Sequence, residues 1–212
     1  MTVSHTSLEH CQAALAANGF DVYLAKDPAQ ARQIFFAEIL PNVRADSISW
    51  GDSLTMEATG VLDELLSNPS FSMIKTFDPA ASREEIMERR RQALLSDLFL
   101  TGTNAVTASG KLVNLDMIGN RTAAISFGPK TVVLFVGQNK IVPDLAGAIE
   151  RVRNHAAPLN ARRHDLPTPC AKTGRCHDCS SPLRICNTWS IIDKCFPVGR
   201  IKVVLIEGDF GL

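Results

Sequence analysis

Two stretches of the chain are almost uninterrupted apolar runs, "LFLTG" at 98–102 and "TVVLFVG" at 131–137, and the last strand is expected at "RIKVVLIEG" (200–208). A strand with one face in water alternates polar and apolar residues. A continuous run requires cover on both faces, as in a parallel sheet sandwiched between helices. The segments between these runs fit that arrangement. "FDVYLA" (20–25), "DSISW" (46–50) and "FSMIKTF" (71–77) are three further short strands. Asp27 followed by Pro28 has the form of an N-cap with proline at the first helical position, opening a helix to about Leu40, before Pro41. A second helix is expected from about Ser53 to Ser67. Ser82 and Glu85 have capping-box spacing at the head of a third. In "VPDLAGAIERVRNHAAPLNA", Leu145, Ile149, Val152 and Ala156 recur at helical intervals. The N-terminal stretch is an amphipathic helix ending at Asn18-Gly19, with Leu8, Cys11 and Leu15 on its apolar face. This alternation predicts an α/β fold over 1–212, a mostly parallel sheet with helices on both faces, as one domain.

Lys+Arg (22) and Asp+Glu (22) cancel. A neutral chain has no global field to gather nucleic acid or an anionic membrane, so neither is expected as a partner. The "RRR" at 89–91 follows Glu84, Glu85 and Glu88, as on a solvated helical face. No apolar segment approaches the ~20 residues that span a bilayer. The N-terminus has no basic start followed by an apolar run, so the expected compartment is the cytoplasm, where thiols stay reduced.

Two strand ends carry the marks of a ligand site. In open α/β sheets, ligands bind beyond the carboxyl ends of the strands. "WGDSLTMEATG" (50–60) passes from strand to helix with Gly51, Asp52, Ser53 and Thr55 at the turn, where free backbone N–H groups favour an anion. A plain N-cap is the competing reading. "LTGTNAVTASGKLVNLDMIGNR" (100–121) supplies Gly102, Gly110 and Gly119 for tight turns, with Asn104, Asn114, Asp116, Asn120 and Arg121 as directed polar groups. Its alternative is a hairpin that merely turns the chain. If both loops converge, a small anionic metabolite is the expected occupant.

The stretch 165–199 lacks a period, holds Pro167, Pro169, Pro182 and Pro197, and gathers Cys170, Cys176, Cys179 and Cys186, with Cys195 further on. Such a segment buries little apolar area to offset its ordering entropy, which suggests a clamp. Zinc or an iron–sulfur cluster on the four clustered thiols is one possibility, although only one Cys-x2-Cys pair is present. A thiol–disulfide pair and inert packed cysteines are the others.

The run "DLFLTGTNAVTASGKLVNLDMIGNRTAAISFGPKTVVLFVGQNKIV", with "GDSLTMEATGVLDELL" before it and "TPCAKTGRCHDCSSPLRIC" after it, resembles the lactate utilization (LUD) domain family, in a branch formerly known only as a domain of unknown function. The resemblance implies a fold like those of glucosamine-phosphate deaminase, ribose-phosphate isomerase and CoA transferases. It also implies an association with iron–sulfur subunits that oxidise lactate to pyruvate. The segment "GTNAVTASGKLVNLDMIGN" is similar to the ligand loop of methylthioribose-phosphate isomerases, which by position touches Gly102, Asn104, Gly110, Asn114 and Gly119. Two alternatives accompany the metabolite-binding reading. One is an isomerase- or transferase-like enzyme on a sugar phosphate or acyl-CoA; the other is a non-catalytic regulatory or binding subunit. A homo-oligomer is compatible with either.

Overall fold

The computed structural model describes residues 5–212, with side chains from Leu8 onward; the first four residues of the N-terminal reading lie outside it. The two apolar runs become the central pair of strands in a six-stranded sheet that is parallel throughout. In chain order its strands are β1 (Asp21–Ala25), β2 (Ser47–Trp50), β3 (Ser72–Ile74), β4 (Leu98–Thr101), β7 (Thr131–Gly137) and β10 (Ile201–Ile206). They lie side by side as β1-β10-β7-β4-β2-β3. Between β4 and β7 the chain builds most of a second sheet from β5 (Ala105–Thr107) and β6 (Leu112–Asp116), completed by β8 (Ile141–Val142) and β9 (Thr188–Ile192) in the order β8-β5-β6-β9.

Because side chains alternate along a strand, each continuous apolar run feeds two cores at once. Val132, Leu134, Val136, Val203 and Leu205 point one way and pack with Leu8, Cys11 and Leu15 of the helix His5–Ala17. Val133, Phe135, Val204 and Ile206 point the other way and meet Phe35, Ile39, Met56 and Leu65. Each fully buried side chain of this size stabilises the fold by roughly 1.5–3 kcal/mol relative to exposure. The outer face of the second sheet is covered separately, with Ala105, Val113 and Leu115 packed against Ala148 and Val152.

Asp27 caps the second helix by accepting from Gln30 N at 2.7 Å. The helix passes through a π turn at Phe35–Ile39 before Pro41 ends it. The capping box at Ser82 and Glu85 is formed in both directions. The helix expected over 53–67 is two helices, Leu54–Glu57 and Val61–Ser67. Gly60 separates them with φ +68°, a left-handed conformation that helical spacing cannot show. From Leu145 to Arg163 the chain is helical throughout, with a π turn at Val152–Ala156. No helix among the described residues is long and apolar enough to cross a membrane.

Candidate functional site

The chain leaves β2 at Trp50, β4 at Thr101, β7 at Gly137 and β10 at Ile206, so four neighbouring loops gather at the carboxyl edge of the parallel sheet. Between them lies a cavity of about 470 Å³, within the usual range for small-molecule sites. The two loops singled out from sequence meet there: Asp52 and Ser53 line it from one side, and Gly102, Asn104, Asp116, Asn120 and Arg121 from the other.

The close approach of the two loops depends on Gly102. A Cβ there would come within 2.5 Å of Ser53 Oγ and 3.3 Å of the Phe135 carbonyl oxygen. Ser53 cannot retreat without giving up its cap, in which Oγ accepts from Met56 N at 3.2 Å. Gly102→Ala is therefore expected to destabilise the fold by about 1–3 kcal/mol, the usual cost of overpacking, and to weaken any ligand response. Denaturant unfolding would check this.

Arg121 organises the second loop. Its Nε donates to Asp116 Oδ1 (3.0 Å), Nη1 to the Gly102 carbonyl (3.0 Å) and Asn114 Oδ1 (2.7 Å), and Nη2 to Asn104 Oδ1 (2.8 Å) and the Leu115 carbonyl (3.2 Å). A guanidinium has five N–H donors, and all five are committed within the protein. Arg121 thus gives the cavity positive charge and shape but no free hydrogen bond. Asp116 is equally occupied, since its Oδ2 accepts from Thr122 N at 2.9 Å. At the rim, Asp52 Oδ2 accepts from Arg163 Nη2 and lies 3.1 Å from His164 Nε2.

The remaining expected residues support the wall from outside it. Gly51 lies where a Cβ would strike the Thr101 hydroxyl and the Arg121 stem. Asn114 is buried behind Arg121, and Gly119, at φ +86°, opens the helix Asn120–Ser126. Gly110 does not belong to the cavity. It turns the β5–β6 hairpin against Ala14 and Leu15 of the first helix, the chain-turning role that was the alternative for this segment.

Sequence reading missed Lys140 and Arg151. Lys140 lines the cavity from the turn after β7 and is 5% exposed. Its Nζ donates to Thr55 Oγ1 at 2.9 Å, and among the described residues no carboxylate lies within ion-pair distance of it. Burial pushes its pKa from 10.5 down to about 7, helped by the Arg151 and Arg121 charges. Arg151 donates to the Asn104 carbonyl (2.7 Å) and the Asn139 carbonyl (3.1 Å), tying the loops after β4 and β7 together. Burial lowers its own pKa to about 10, against the opposing effect of Asp209. Arg90 also lines the cavity, with its guanidinium 5.7 Å from the centre of the Phe77 ring. Arg90, Arg121, Lys140 and Arg163 therefore line the cavity with the side-chain carboxylates of Asp52 and Asp116, both of which are already paired.

The cysteine segment forms one wall, through Leu166 and Ile185. Cys170, Cys176, Cys179 and Cys186, the set expected to hold zinc or an iron–sulfur cluster, are not brought together. Among the described residues no three His, Cys, Asp or Glu side chains are placed to share an ion. A guanidinium takes the place of the expected clamp: Arg184 donates to the Cys179 carbonyl (2.7 Å), the Cys186 carbonyl (3.0 Å) and Cys186 Sγ (3.3 Å). The later part of the segment gains order by pairing as β9 along β6, with Thr188 opposite Asp116. As arranged among the described residues, the thiols do not fit a metal centre.

The LUD domain family model matches residues 8–206. Among solved structures, the crystal structure of a DUF162 family protein from Deinococcus radiodurans is similar over 98% of this chain and 100% of its own, with a TM-score of 0.51 and 15% identity. No curated protein matches the chain.

Proposed function

The chain belongs to the LUD domain family, and from that premise we propose that it binds a small anionic metabolite in the cavity at the carboxyl edge of the sheet. One observation carries the reading: Lys140 is a buried amine on the cavity wall with no carboxylate partner among the described residues, beside loops whose own carboxylates are already paired. Burying a charge costs several kcal/mol unless something compensates it. A ligand carboxylate or phosphate would supply the missing counter-charge, and backbone N–H groups near Ser53 and Asn104 would supply direction. Membership of the LUD domain family motivates one further part of the proposal, that the metabolite belongs to lactate-to-pyruvate oxidation and that iron–sulfur subunits are partners.

A thermal-shift panel of hydroxy acids, 2-oxo acids, sugar phosphates and CoA esters tests this. A ligand at about 100 times its Kd adds about 2.7 kcal/mol of stability, hence roughly 5–10 °C in Tm for a chain of this size. The response is expected to vanish in Lys140→Met. If no anion moves Tm, or the variant responds as the parent does, the proposal is wrong. The class that responds also decides between the lactate-linked reading and a sugar-phosphate or acyl-CoA enzyme.

A further inference from the structure

We propose that Lys140 is a covalent capture site, its side-chain amine forming an imine with the carbonyl group of a small anionic compound held in the cavity. The inference rests on the anion-binding reading above and goes beyond it, because a cation that merely pairs with an anion has no need of a lone pair.

The hydrogen bonds around Nζ carry the argument. Thr55 Oγ1 donates its single proton to the Phe210 carbonyl oxygen at 2.9 Å. Its oxygen can therefore only accept from Lys140, as it does at 2.9 Å. One N–H of the amine is thereby fixed, and among the described residues no donor is hydrogen-bonded to its nitrogen. The backbone of Gly211 packs close to both groups, since a Cβ there would lie 3.0 Å from Nζ and against the Thr55 hydroxyl. Asn139 holds that stretch in place, accepting from Phe210 N and donating to the Gly211 carbonyl, both at 3.3 Å. The amine is thus sequestered from bulk water and oriented by one hydrogen bond, on a residue that lines the cavity, where the positive charge of Arg90, Arg121 and Arg163 favours an anionic end on the same compound. Burial and the Arg151 and Arg121 charges also bring its pKa to about 7, so a large fraction is the neutral, nucleophilic form near neutrality.

The step balances without a co-reactant. The lone pair attacks the carbonyl carbon, and a proton passes from nitrogen to the carbonyl oxygen to give a carbinolamine. Loss of that oxygen as water leaves a C=N bond, and nothing is oxidised or reduced. A 2-oxo acid and a phosphorylated aldose or ketose share the chemistry required, an anionic group a few bonds from a carbonyl.

The test treats the full chain with pyruvate in one arm and ribose 5-phosphate in another, each with borohydride, followed by peptide mapping. Capture adds the ligand's mass less one oxygen atom. The adduct is expected on Lys140 in one arm, at about ten times or more the yield at exposed lysines, because the reference lysine pKa of ~10.4 leaves little free amine at neutral pH. Lys140→Arg should lose the adduct and keep the melting shift. Should the arginine variant not fold, the map of the unaltered chain decides by itself. A melting shift with no enrichment at Lys140 overturns capture and leaves anion binding standing. No melting shift with any anion overturns both.

Discussion

Arg121→Ala is expected to cost about 3–5 kcal/mol of folding stability, the range for removing one partner of a buried ion pair. For a chain of this length that is a fall in Tm on the order of 10 °C. The reason is the number of groups left behind. The Arg121 and Asp116 side chains are 12% and 9% exposed, so the abandoned carboxylate would keep little water around it. Asn104 Oδ1 would retain Leu115 N, at 2.9 Å, but Asn114 Oδ1 and the Gly102 carbonyl would each lose a donor at 3.0 Å or less. Arg121→Lys should recover only part of the loss, since an ammonium group has three donors on a flexible stem where the guanidinium has five in a planar fork. Hydrogen exchange should rise from residue 102 to 121 in both variants and change little in the β1–β10 pairing, which shares none of these partners. A loss below about 1 kcal/mol for the alanine variant would show the network to be replaceable by water, and Arg121 would then be available to a ligand.

The fold was legible in the sequence wherever structure follows from local spacing. The runs at 98–102 and 131–137 had to be covered on both faces, and they are β4 and β7, the two central strands of the sheet. Ser82 and Asp27 cap helices through side-chain bonds to residues three positions on, which sequence displays directly. What escaped notice depends on distant partners. β9 lies in a proline- and cysteine-rich stretch and becomes a strand only by pairing Thr188 with Asp116. β8 has two residues, too few for any period, and is defined by Val106 and Thr107 on β5. Lys140 and Arg151 are single charges without a motif, and each gains its role from a contact far away in the chain, Thr55 for one and the Asn104 carbonyl for the other. The cysteines are the converse case. Closeness in sequence suggested a shared ion as one of three readings, whereas Arg184 reaches the backbone carbonyls of Cys179 and Cys186, and no three candidate ligands are grouped among the described residues.

Lys140→Met is expected to make the protein more stable while removing its ligand response. A folded-state pKa of about 7 against an ordinary 10.5 means that the folded chain holds the proton less tightly than the unfolded one. Above the unfolded value both states carry a neutral amine and there is no penalty. As pH falls from about 10.5 towards 7 the unfolded chain takes up a proton that the folded chain does not, so stability declines through that window. Below about 7 both are charged and the penalty is full, at most about 5 kcal/mol for a shift of this size. Methionine fills a similar volume without a charge, so the variant should exceed the parent by about 2–5 kcal/mol at pH 6, less what the lost bond to Thr55 contributed. The difference between the two should shrink steadily as pH rises from 7 to 10, with the Arg151, Arg121 and Asp209 charges around the site present in both chains and cancelling in the comparison. Urea unfolding of both proteins across that range measures it. A stability difference that is flat with pH would mean that Lys140 is solvated and ordinary in solution. A less stable methionine variant would mean that the amine already has a compensating partner in the unliganded protein, and the case for an anion in the cavity would lose its physical basis.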